Sequence, residues 1–107
     1  MKLCLLFLTC ANEVEAEKIS KTLLEKKLVV CAKRFPVSSS FLWKGSIDSA
    51  NEALLIMDSI EENFGKIEQE VAKIHSYKTF VLLSSPVTQT TKEVQAWIRQ
   101  ELVLEKK

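Results

Sequence analysis

The chain has 107 residues, 47% of them apolar and 27% charged, a balance that suits one ordinary globular domain and is too apolar for a disordered chain. Fifteen basic residues against fourteen acidic ones leave a formal charge of +1, so no net field draws nucleic acid phosphates or an anionic membrane. A chain of this size buries roughly 60 to 70% of the surface it exposes unfolded, enough to fold without a metal or disulfides and too little for a second core.

Cys4, Cys10 and Cys31 are the only cysteines and lack the paired spacing of a zinc site or redox motif. They argue against a disulfide framework and for a reducing, cytoplasmic setting. The apolar run from Leu3 to Leu8 is too short to span a bilayer, and no basic start with a small-residue cleavage site frames it as a secretory signal. It reads as a first strand, of the nearly unbroken kind that is buried on both faces or central in its sheet, with Cys4 as a small core hydrophobe.

Asn12 followed by Glu15 forms a capping box, and Ala16, Ile19, Leu23 and Leu24 share one face of the helix it opens. That helix is expected to end near Lys26 or Lys27, whose charges suit its C-terminus. Leu28 to Ala32 reads as the second strand, leading through Phe35 and Pro36 to Ser38, Ser39 and Ser40. Phe41 to Trp43 and Ile47 extend this into a hairpin arm with a tight turn at Gly45, and Ala53 to Met57 supplies the third strand.

Ser59 and Glu62 predict a second capping box, ahead of Ile60, Phe64, Ile67, Val71 and Ile74 at helical steps. Phe80 to Leu83 is the expected fourth strand, closed by Pro86. Thr90 with Glu93 signals a last helix carrying Val94, Trp97, Ile98 and Leu102. The pattern predicts an α+β fold, a ferredoxin-like β-α-β-β-α-β sandwich whose antiparallel sheet has strand order 4-1-3-2, plus the extra C-terminal helix. It forms one domain over 1–104, with 105–107 a frayed tail. Both motif helices lie on one sheet face, leaving the other to the last helix or to another subunit.

His75 is the only histidine, so no histidine pair or triad forms within one chain. At the end of the second helix an imidazolium there would cap the last carbonyls. Gly45 and Gly65 are the only glycines, which excludes nucleotide loops and hydrolase elbows at the level of motif. No nucleophile, base and orienting group fall together, so the sequence does not read as an enzyme. Trp43 in the arm and Trp97 in the last helix are either anchors of a subunit contact or side chains folded back onto their own sheet.

Thr9 and Cys10 after the first strand, Ala16, Ile19, Leu23 and Glu25 in the first helix, and Leu28, Val29 and Cys31 in the second strand form an ordered set. It continues through Pro36, the W-x-G-x-I of Trp43, Gly45 and Ile47, the strand Leu54 to Ile56, the H-x-Y of His75 and Tyr77, Pro86, Val87 and Trp97. From about Leu5 to Leu102 this set resembles the CutA divalent-cation-tolerance family. The resemblance implies a tight trimer of ferredoxin-like subunits and a role in tolerance of, or response to, divalent metal, copper above all. It also implies anchoring or processing of acetylcholinesterase by vertebrate members, the non-metal alternative. No motif demands a cofactor; the resemblance implies copper or another divalent cation, with Cys31 and His75 as the metal pair it favours. It places Trp43, Tyr77, Lys78, Asp58 and Trp97 at the subunit interface or cleft.

The departures from the family pattern fall on polar positions. Lys33 stands where the family usually has Asn, and Asp58 and Ser59 where it has Lys-Thr. The stretch resembling H-P-Y-E-x-P-E reads His75, Ser76, Tyr77, Lys78, Thr79, Phe80, Val81, without its two carboxylates and two prolines. A kept apolar framework with a rewritten polar cleft implies a ligand site altered or lost, since Lys78 opposes a cation. Asp58 and Lys78 exchange the family's usual charges. Strands three and four are expected to run parallel, so these two lie at opposite ends of one subunit's sheet; they are either two independent surface changes or a pair that meets across a subunit boundary.

Overall fold

The first strand is central in the sheet, one of the two placements its apolar run allowed, and it alternates: Cys4, Leu6, Leu8 and Cys10 are buried, while Leu3, Leu5, Phe7 and Thr9 are only partly covered. The computed structural model describes residues 1–103, and the fray expected over 105–107 lies outside them. β1 is Leu3–Cys10, α1 Glu13–Glu25, β2 Cys31–Trp43, β3 Ser46–Ile60, α2 Phe64–Ile74, β4 Leu82–Pro86 and α3 Lys92–Ile98. A 3-10 turn, Glu61–Asn63, precedes α2 and a π-helical turn, Arg99–Val103, follows α3.

The sheet has order β2-β3-β1-β4, with β1 antiparallel to both β3 and β4 and β2 antiparallel to β3. The predicted ferredoxin-like topology is therefore the observed one. One sheet face meets α1 and α2, where Leu6, Leu8, Leu55 and Met57 pack with Ile19, Leu23, Ile67 and Val71 in one closed cluster. Burying each of these side chains contributes about 1.5 to 3 kcal/mol, which makes this layer the main source of stability.

α1 ends as its C-terminal charges alone do not explain. Lys27 takes φ 58°, the left-handed region, while Leu28 N–H donates to Leu23 O at 2.9 Å and Lys27 N–H to Leu24 O at 3.0 Å. This is a Schellman closure with lysine in the position that favours glycine. It reverses the chain so that buried Leu28 and Val29 pack against the core before β2 begins, three residues later than expected.

The second capping box does not form. β3 runs through Ile60, and the Ser59 hydroxyl is buried, donating to Leu28 O at 2.6 Å instead of capping α2. Glu62 lies in the 3-10 turn, and α2 starts at Phe64 without a side-chain cap. The last helix is capped one residue later than predicted, by Thr91, which accepts from Val94 N–H at 3.2 Å.

β2 and β3 outrun the rest of the sheet. β1 stops at the pair Cys10↔Ala53, whereas β2 and β3 stay paired from Val37↔Glu52 out to Trp43↔Ser46. The tip is a two-residue turn, with Lys44 at φ 53° and Gly45 at φ 83°, the geometry whose twist matches antiparallel strands. On the second sheet face, α3 and its π-helical turn place Ile98 and Leu102 over Leu3, Val30 and Ile60. The cover ends there, leaving Leu5, Phe7, Leu54 and Ile56 half-buried and Phe35 and Leu83 exposed on the same face.

Candidate functional site

The end of β1, the start of α1 and the segment after α2 converge at one end of the sheet. Asn12 caps α1, accepting Glu15 N–H at 2.8 Å, and Glu15 Oε1 in return accepts Ala11 N–H at 2.8 Å. The other Glu15 oxygen accepts the N–H of Ser76, sixty-one residues on in sequence, at 2.7 Å. The carboxylate therefore ties the first turn of α1 to the segment that leaves α2.

His75 follows α2 in extended conformation, and its ring returns to β1. Nε2–H donates to Thr9 O at 2.8 Å, and Nδ1 accepts Tyr77 N–H at 3.0 Å. A carbonyl on one nitrogen and an N–H on the other assign a neutral ring with its proton on Nε2. The 3.7 Å approach of Glu15 Oε1 to Nδ1 is thus a contact of two acceptors and not an ion pair. The ring is fully buried and stacks on Phe80 at 5.2 Å between centroids. The expected imidazolium cap is not what this histidine provides; its ring holds β1 instead of the carbonyls of α2.

Tyr77 OH donates to Glu52 Oε2 at 2.5 Å, which pins the segment to β3 beyond the end of β1. That bond, with burial second to it, pushes the phenol up to about 12. Burial first, then Glu15 and Glu52, pushes the Cys10 thiol up to about 12 as well, so Cys10 is a protonated thiol near neutrality. Burial alone would raise the Glu15 carboxyl. The Ala11 N–H and the hydroxyl and N–H of Ser76 outweigh it and hold the group below the usual carboxylate range. Cys10 Sγ, a Glu15 oxygen and a His75 nitrogen lie within 4.8 Å of one another, the only such donor group among the described residues.

The residues singled out from sequence divide between this cluster and the rest of the molecule. His75 and Tyr77 belong to it. Cys31 does not: it opens β2 opposite Asp58, whereas Thr9, which holds His75, lies opposite Leu54. Four steps along a strand separate the two by roughly 13 Å, so Cys31 and His75 form no pair within the chain. Cys31 Sγ instead accepts from Lys33 Nζ at 3.4 Å, and the same ammonium reaches Asp58 Oδ2 at 3.4 Å. Two polar departures from the family pattern thus answer each other across β2 and β3. β3 and β4 run parallel with β1 between them, as expected, and Lys78 is exposed with no ion-pair partner among the described residues. Trp43 at the tip of the arm and Trp97 on α3 keep 48% and 44% of their surface, so neither is folded away in its own subunit.

Cys10, Glu15 and Glu52 were not legible as one site. Glu15 showed only its capping role, and its bond to Ser76 depends on long-range packing that no local spacing announces. A lysine and an aspartate on paired strands were visible, but joining them required the register.

A four-stranded antiparallel sheet with two helices on one face and a third beyond the motif defines the class as ferredoxin-like α+β. The model of the family described as CutA1 divalent ion tolerance protein matches residues 4–101, and the chain belongs to that family. It is 39% identical over 93 residues to the divalent-cation tolerance protein CutA of Archaeoglobus fulgidus, covering 87% of this chain and 91% of the relative. To the CutA protein of Thermotoga maritima it is 31% identical over 99 residues, covering 92% and 98%. The solved structure of the Archaeoglobus fulgidus protein, described as periplasmic, superposes with TM-score 0.92 at 36% identity, covering 94% of this chain and 98% of the other. Among the described residues no helix is long and apolar enough to cross a membrane.

Proposed function

We propose that the chain works as a homotrimeric, non-enzymatic protein of divalent-cation tolerance, with assembly as the basis of its function. The observation that carries this is the unfinished second face. Leu5, Phe7, Leu54, Ile56, Phe35 and Leu83 share a face that α3 leaves open, beside the Lys33–Asp58 pair and flanked by an arm with no third strand. A two-stranded ribbon is marginal alone, and an open edge strand is an aggregation hazard unless another chain covers it. Copies of the same chain arranged about a threefold axis would pair the edges and cover the face together. Three free cysteines support a reducing, cytoplasmic location.

The metal part of the role rests on the family's name, with copper as the leading ion. A second reading, a trimeric interaction module with no metal ligand, is favoured by the Lys33 ammonium beside Cys31, which repels a cation from that thiol. Native mass measurement at micromolar concentration with added copper tests both. Three subunits are expected; stoichiometric copper lost on Cys31→Ala supports the metal role, and a trimer that takes up none supports the module. A single subunit under these conditions would refute the proposal.

A further inference from the structure

A divalent cation is the ligand that the family name implies, and the donor chemistry nearest to it here is Cys10, Glu15 and His75. Thiolate, carboxylate and imidazole are a plausible set for copper or zinc, so the question is whether their lone pairs are available.

The imidazole has none. A metal-bound histidine commonly donates its other N–H to a carbonyl, and Nε2–H to Thr9 O has that form. The remaining lone pair, on Nδ1, faces Tyr77 N–H at 3.0 Å. A cation about 2.0 to 2.1 Å from Nδ1 along that direction would sit nearly on the amide hydrogen. The ring cannot turn to offer another lone pair, because it is fully buried, stacked on Phe80 and held at both nitrogens. Both Glu15 oxygens are engaged by backbone N–H groups, of Ala11 and Ser76. Cys10 is buried at the end of β1. A partner subunit's thiol could not share a cation with His75 either, since the histidine has no lone pair to give.

We infer that Glu15 and His75, beside the buried Cys10, form a hydrogen-bonded lock and that the three are not a resident cation site. The lock fastens the segment after α2 to the end of β1 through His75 and to the first turn of α1 through Glu15. With Tyr77 on Glu52, the segment is held at three points. The inference deepens the proposed function by excluding one place for the metal, and it stands whether the chain is one subunit or three.

Nitrogen NMR of the His75 ring, amide hydrogen exchange and a zinc titration, with mass measured on the same sample, test it. The Nε2–H tautomer is expected, with the Ser76 and Tyr77 amides protected. Ser76 protection should fall at least tenfold in Glu15→Ala and Tyr77 protection likewise in His75→Phe. One equivalent of zinc should leave the His75 ring signals and the Tyr77 amide unmoved, even if zinc binds elsewhere. Should either variant fail to fold, the unaltered protein still decides through its tautomer and its zinc response. One zinc per chain that shifts Nδ1, frees the Tyr77 amide and is lost in Glu15→Gln would overturn the lock and leave the trimer reading untouched; a particle mass in solution near 12.2 kDa would do the reverse.

Discussion

The two faces of the sheet carry similar apolar side chains and meet different fates. On the first, Leu6, Leu8, Leu55 and Met57 lie under two amphipathic helices and lose essentially all their surface. On the second, Leu5, Phe7, Leu54 and Ile56 keep part of theirs, and Phe35 and Leu83 keep 42% and 57%. Adjacent residues of one strand thus belong to a finished core and to an unfinished one. Burial of a side chain is decided by what the chain can bring over it, not by its own hydrophobicity. Among the described residues two helices cover the first face, and the short α3 packs Ile98 and Leu102 against Leu3, Val30 and Ile60.

The largest expected effect lies in the finished core. Leu55→Ala, at a position with no exposed surface, should cost about 2 to 5 kcal/mol in urea denaturation. A loss near zero would mean that the closed cluster is not the source of stability. Next comes the unfinished side, where Trp43→Ala should weaken trimer association by on the order of 2 kcal/mol while leaving the subunit's circular dichroism unchanged. Cys4→Ala should act only on subunit stability. If the tryptophan variant kept full association and the cysteine variant dissociated, the arm would not be the contact.

How legible these regions were in the sequence follows the same division. Strand order, both sheet-face helices and the hairpin arm could be read because periodicity and caps such as Asn12 are local. The apolar run of the first strand left open whether it is buried on both faces or central in its sheet, because the cover of each face depends on α1, α2 and α3 together. Ser59 misled for a related reason. Followed by Glu62 it has the spacing of a helix cap, but its partner is a carbonyl brought in by the Lys27 reversal, a contact 31 residues away. The His75 and Glu15 lock escaped notice entirely, since its bonds span sixty-one residues or more.

Smaller changes sharpen the picture of how the finished face is closed. Ser59→Ala removes one of two donors to Leu28 O, with Asn63 Nδ2 remaining at 3.2 Å, and should cost about 1 kcal/mol by thermal denaturation. An unchanged transition would show that Asn63 suffices. Lys27→Gly should stabilise by up to about 1 kcal/mol, because glycine adopts the positive φ without strain; destabilisation would mean that the lysine side chain does more than the turn requires.

The smallest effect belongs to Lys33, exposed beside Asp58. A double-mutant cycle with Asp58→Ala should give roughly 0.2 to 1 kcal/mol, declining with salt. The hydrogen bond to Cys31 and the charge of Asp58 raise the lysine above its ordinary 10.5. Its contribution is therefore complete below that value and is lost as pH rises through the folded-state value. The alkaline limb of a stability curve should show this loss, and Lys33→Met should remove it. A variant that keeps the limb would assign it to another group.

The first face is closed within the chain, and the second is expected to close only between copies of it. Sedimentation through a dilution series into the nanomolar range, with folding followed on the same samples, tests this most directly. A species of three 12.2 kDa subunits is expected at every concentration where folded protein is seen, with dissociation and unfolding coincident. A stable, folded 12.2 kDa monomer would contradict it.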